Sequence, residues 1–128
     1  MGNRKQMFVS LHNHTHHSIL DALSSPKALL SKAKELGQPA IAITDHGTLS
    51  SAWKAFKLSK DLGIKLIIGA ELYFVNDASI ETSKMRHIIL LAKNAVGYNN
   101  LLTLNRLGFE NDKTGSNRSY SIIDWKLL

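Results

Sequence analysis

The 128-residue sequence contains no cysteine, which excludes a disulfide framework and any thiolate metal site and fits a reducing compartment, by default the cytoplasm. Long apolar runs are missing: Leu66 to Ala70 and Ile88 to Ala92 are the longest, far short of the roughly 20 residues a membrane helix needs. No membrane span is expected, and no membrane partner. Met1 to Gln6 has no apolar segment of the kind a secretory leader carries, and Gln6 stands where a myristoylation signal wants Ser or Thr. Fixed-period repeats, low-complexity tracts and an interior linker are also absent, so 1–128 reads as one domain. Acidic residues are the scarcer charge, 10 against 16 Lys plus Arg, and the resulting +6 favours anionic partners such as nucleic acid or phosphate esters. With 44% hydrophobic and 20% charged residues, disordered and fibrous classes are excluded.

What is present alternates. Met7 to Leu11 predicts a first strand that runs into a group of histidines. Ser25-Pro26 has the form of an N-cap followed by proline, and the apolar spacing predicts a helix from Pro26 to Leu36 with Gly37 as its stop. Ala40 to Thr44 is a second strand, ended by Asp45-His46-Gly47. Leu49, Trp53 and Phe56 share one helical face and Lys54, Lys57 and Lys60 lie mostly on another, so an amphipathic second helix runs to Gly63. Lys65 to Val75 is a third strand of buried character, interrupted by Gly69 and Glu71. A polar loop over 76–86, a strand from His87 to Lys93, a third helix around Tyr98 to Leu104 and a loop from Gly108 to Ser119 follow. Asp124 then looks like the cap of a helix too short to stand alone, which makes the sequence read as a piece of something longer. The order argues for an α/β fold built on parallel βα units.

Ligand-type side chains collect at the strand ends. In extended backbone His12 and His14 point to the same side and can converge on one ion. Asp45-His46 follows the second strand, and Glu71 interrupts the third in an apolar setting where an unpaired carboxylate is costly and a cation resolves the cost. Asp21, taken alone, fits a turn or a helix cap as well as a ligand. His87 stands at the start of its strand, so it reaches the same rim only if that strand returns antiparallel after Val75.

Leu11-His12-Asn13-His14-Thr15 with Leu20-Asp21, Ala42-Ile43-Thr44-Asp45-His46-Gly47, Gly69-Ala70-Glu71, and His87 to Asn94 followed by Gly97-Tyr98-Asn99-Asn100-Leu101 together resemble one known family. It is the polymerase and histidinol phosphatase (PHP) domain, in the form found at the N-terminus of the bacterial replicative DNA polymerase III alpha subunit. The resemblance implies a distorted (β/α)7 barrel, of which this chain is the incomplete N-terminal part. It also implies two or three divalent ions (Zn, Mn or Fe) held here by His12, His14, Asp21, His46, Glu71 and His87. Glu71 is the expected bridging and catalytic carboxylate. Asp45 is grouped with it in the catalytic machinery, where it would orient a neighbouring imidazole. His16 and His17 replace an acidic and an aromatic residue of the family pattern and read as surface or supporting groups. The implied activity is metal-dependent phosphoester hydrolysis of the 3′–5′ exonuclease type, with DNA, the polymerase core of the same longer chain and a proofreading exonuclease subunit as partners. The alternatives are a non-catalytic docking module of the polymerase and a stand-alone phosphatase.

Overall fold

The computed structural model describes residues 8–80, 84–111 and 120–128. Its elements are α1 (Pro26–Glu35), β1 (Ala40–Ile43), α2 (Ala52–Leu62), β2 (Lys65–Phe74), β3 (Arg86–Leu91), α3 (Ala95–Glu110) and β4 (Ile122–Ile123). The strand β2 organises the rest. Its first half pairs in parallel with β1, its second half in parallel with β4, and β3 lies antiparallel along its other edge with Tyr73 opposite His87. The return after Val75 is therefore the hairpin that His87 required.

Alternation along β2 separates two faces. Leu66, Ala70, Leu72 and Phe74 turn toward the helices and enter two apolar clusters, one with Leu30, Ile41, Ile43 and Ala55, the other with Leu49, Leu104 and Ile123. Glu71 and Tyr73 turn the other way. At Gly69 a side chain has no room, because a Cβ would lie 2.5 Å from the Leu90 carbonyl oxygen and 2.9 Å from Thr44 Cγ2.

The helices begin where local chemistry starts them. Ser25 Oγ accepts from the Ala28 amide ahead of Pro26, and Asn94 Oδ1 accepts from the Gly97 amide, so α3 starts before Tyr98. It also runs past Gly108, whose missing side chain admits Ser121 and Ile122 against the helix. The rest of the expected loop, 112–119, lies outside the described residues, as do Met1 to Met7 and 81–83.

Three expectations are corrected. The first strand is reduced, in its described part, to one parallel bridge from Ser10 to Ile41, beyond which the Thr44 hydroxyl bonds the Asn13 main chain and the Asn13 side chain bonds the Ala42 carbonyl. The C-terminus forms a turn behind Asp124, not a helix, and the two residues before it form β4, too short for a sequence period to reveal. In α2 the buried residues are Ala52, Ala55 and Ser59, while Trp53 and Phe56 are exposed. The inward face of α2 rests closely on α1 and the sheet, where small residues fit and large rings do not. No described helix is long and apolar enough to cross a membrane.

Candidate metal centre

The segment before α1 is fastened to the end of β1 through Asn13. Its amide donates to Thr44 Oγ1 (3.0 Å), its side chain donates to the Ala42 carbonyl (2.9 Å), and its carbonyl accepts from the Thr44 amide (2.9 Å). With Asn13 turned to β1, His12 and His14 project together, and their Nε2 atoms are 3.0 Å apart. Gly47, at φ +65°, closes the turn that follows β1. That turn is pinned to Glu71 from both sides: the Gly47 amide donates to the Glu71 carbonyl (2.7 Å), and the Glu71 amide donates to the Asp45 carbonyl (3.1 Å). His46 is thereby set beside Glu71.

The Glu71 residue is only 5% exposed, yet four imidazoles surround its carboxylate. Oε1 lies 3.6 Å from His12 Nε2 and 3.3 Å from His87 Nδ1, and Oε2 lies 2.9 Å from His14 Nε2 and 3.7 Å from His46 Nδ1. Asp21 closes the ring, its Oδ2 against His14 Nδ1 and 3.8 Å from His46 Nδ1. All six expected ligands thus meet in one place. They include two sets with the mutual approach an ion needs, His12–His14–Glu71 and His46–Glu71–His87, with ligand atoms within 4.8 Å of one another in each. Glu71 belongs to both.

The donor chemistry fits a hard or borderline divalent cation. When Asp21 accepts a hydrogen bond from the Nδ1–H of a neutral His14, the Nε2 lone pair faces a carboxylate oxygen and a second imidazole nitrogen at about hydrogen-bond distance. Three electron-rich atoms converge there, an arrangement that a cation stabilises. Burial lowers the His46 pKa from its ordinary value against the opposing pull of Glu71, and the neutral ring is the form that ligates. His46 Nε2 is buried without a hydrogen-bond partner among the described residues.

Asp45 plays a different part from the one expected. It is 1% exposed, and its partners among the described residues are hydroxyls and an amide, with no imidazole among them. Thr15 N (2.6 Å) and Ser18 Oγ (3.2 Å) donate to Oδ1, and Thr15 Oγ1 (3.0 Å) and Ser51 Oγ donate to Oδ2. Ser18 Oγ also accepts from the His46 amide (2.8 Å). The carboxylate therefore ties the 15–18 turn, with His14 just ahead of it, to the His46 turn and to the start of α2. Leu20, at φ +68°, takes the left-handed conformation that brings Asp21 back toward His14.

Sequence reasoning missed Tyr73 and Tyr120. The Tyr73 ring lies 4.7 Å from His46 and 5.0 Å from His87, and Tyr120 meets it edge-on at 4.9 Å. The position of Tyr73 two residues after Glu71 was the available signal. His17 is placed with its Nδ1 3.2 Å from Ser50 Oγ, and its ring stacks on His16.

The chain is similar to known proteins over most of its length. The PHP domain family matches residues 10–128. The chain is 42% identical over 106 residues to the DNA polymerase III subunit alpha of Treponema pallidum, covering 78% of this chain and 9% of that one. It is 41% identical over 105 residues to that of Helicobacter pylori, covering 80% and 9%. The chain thus spans about a tenth of the length of these curated relatives. Among solved structures, one assigned as a metal-dependent phosphoesterase from Bifidobacterium adolescentis matches with TM-score 0.57 and 23% identity, over 82% of this chain and 35% of that one. An amidohydrolase from Chromobacterium violaceum matches with TM-score 0.61 and 22% identity, over 80% and 33%. Those likenesses speak to the α/β fold, and the open sheet fits an incomplete barrel. With its histidines and Glu71 gathered on one face of that sheet and the family matching nearly all of its length, the chain belongs to the PHP domain family.

Proposed function

We propose that this chain is the N-terminal part of the PHP domain of a DNA polymerase III alpha-like replicative polymerase, and that it hydrolyses phosphoester bonds at DNA 3′ ends as a proofreading exonuclease. The observation that carries the reading is the single buried carboxylate of Glu71 shared by four imidazoles. His12, His14, Asp21, His46, Glu71 and His87 would hold the divalent ions, Zn, Mn or Fe. Once bound, such ions activate water and stabilise charge on the attacking and leaving oxygens of an in-line displacement.

The chain's own residues prepare the place. Glu71 offers two oxygens to two ligand sets, Asp21 fixes the His14 tautomer, and Asp45 holds the two histidine-bearing turns in register. The excess of Lys and Arg suits a polyanionic substrate. DNA, the polymerase core of the same longer chain and a proofreading exonuclease subunit are the partners this reading implies, in the cytoplasm.

The test is a 5′-labelled oligonucleotide with a mispaired 3′ end, incubated with the protein and Mn or Zn. Stepwise shortening from the 3′ end that disappears in Glu71→Gln and in His12→Ala plus His14→Ala is the expected result. A metal-loaded protein that leaves DNA intact but turns over histidinol phosphate would replace this reading with the small-phosphatase one.

A further inference from the structure

The rings of α2 that the core does not take form a surface of their own. Trp53 is 66% exposed and Phe56 38%. They stack with centroids 5.9 Å apart and planes 22° from parallel. The Lys57 ammonium stands 5.7 Å from the Trp53 centroid and that of Lys60 5.3 Å from the Phe56 centroid. The pair forms one wall of an open cleft of about 420 Å³, with Leu66 and Ile68 of β2, Lys93 and Tyr98 among its other lining residues. Leu66 and Ile68 alternate with Glu71 along β2, so the cleft lies on the helix-covered face of the sheet and the metal centre on the other.

We propose that this cleft binds single-stranded nucleic acid, with a base extending the Trp53–Phe56 stack and the flanking phosphates near Lys57, Lys60 and Lys93. A nucleotide joins a flat apolar π-face to an anion within one residue, and the cleft presents the complement of both: stacked rings with ammonium groups over them. Charge selects this occupant over others. Lys54, Lys57 and Lys60 face a single acidic residue on α2, Asp61, so a second copy docking by two-fold symmetry would bring the same lysines together. An acidic peptide would pair with the lysines but leave the rings without a stacking partner. The surface is separate from the phosphoester chemistry and does not depend on it.

The experiment uses the whole chain with a fluorescein-labelled oligothymidylate in EDTA, so that binding is read by anisotropy without hydrolysis and a failed nuclease assay leaves the result intact. Three phosphate contacts predict a log–log salt slope of about −2, at about −0.7 per contact on a single strand. Trp53→Ala should weaken binding roughly tenfold or more. Lys57→Gln plus Lys60→Gln should lower the slope by about 1.4. Trp53→Phe should keep binding but lose the quenching of tryptophan emission by DNA. These side chains are exposed, so far-UV circular dichroism should show all variants folded. Three results would each overturn the proposal: no binding at about 50 mM salt, where such contacts are strong; equal affinity in the wild type and Trp53→Ala; or polyglutamate competing as well as DNA. A wild-type dimer that Trp53→Ala converts to a monomer would assign the surface to a second copy instead.

Discussion

Asp45 offers the sharpest test of how the centre is built, because its carboxylate touches no imidazole yet holds the turns that carry two of them. In Asp45→Asn the amide oxygen can keep the position of Oδ1, where the Thr15 amide admits only an acceptor. The new NH2 then faces Thr15 Oγ1 and Ser51 Oγ, hydroxyls able to rotate and accept. What is lost is mainly the charge assistance of the bonds, about 1–2 kcal/mol. Asp45→Ala removes every acceptor, leaving the Thr15 amide and buried hydroxyls unpaired, which costs about 3–5 kcal/mol. For a chain of this size roughly 4 °C of melting temperature corresponds to 1 kcal/mol. Thermal unfolding should therefore fall by about 4–8 °C in the Asn variant and by about 12–20 °C in the Ala variant. A merely structural carboxylate would stop there. A positioning one also weakens metal binding, by roughly 10–100-fold, measured by competition with a chromophoric chelator at a temperature where both proteins are folded. An Asp45→Ala protein that melts within about 3 °C of the wild type, or that binds metal equally well, would refute the reasoning.

Two further outcomes follow from the same geometry. Stripping metal with a chelator should lower the melting temperature by about 10 °C relative to protein at a hundredfold excess over Kd, since such an excess contributes about 2.7 kcal/mol; an unchanged melt would mean that the imidazoles hold no ion. Gly69→Ala should cost at least about 1–3 kcal/mol in a denaturant titration, because the added methyl meets the Leu90 carbonyl oxygen and Thr44 Cγ2 from opposite sides, and a midpoint equal to the wild type would show that β2 and β3 shift apart freely.

Much of this candidate centre was legible because its residues obey short-range rules. His12 and His14 flank Asn13, which is turned to β1, and so share the other side, His46 follows a strand and closes on a Gly turn, and the topology needed by His87 is the one found. What escaped the sequence depended on distances between elements. The apolar spacing of Trp53 and Phe56 pointed inward, but the narrow gap between α2 and α1 accepts only Ala52, Ala55 and Ser59. Asp45 sat in a ligand-rich motif, and only the fold reveals that Thr15, Ser18 and Ser51, distant or unremarkable in sequence, converge on it. A two-residue strand such as β4 has no period to detect.

The strand β2 keeps the candidate metal centre and the Trp53 cleft apart within a small unit. Its odd-numbered Glu71 and Tyr73 meet the histidines, and its even-numbered Leu66 and Ile68 line the cleft beside Trp53. Ile68 and Glu71 are three residues apart, about 10 Å along the strand. The backbone between them is held on one edge by β1 and the 45–47 turn and on the other by β3. A side chain on one face therefore cannot move toward the other without breaking ladder bonds on both edges. Each face of β2 therefore packs against its own set of neighbours, Glu71 against the imidazoles and Leu66 against the apolar side chains of the helices.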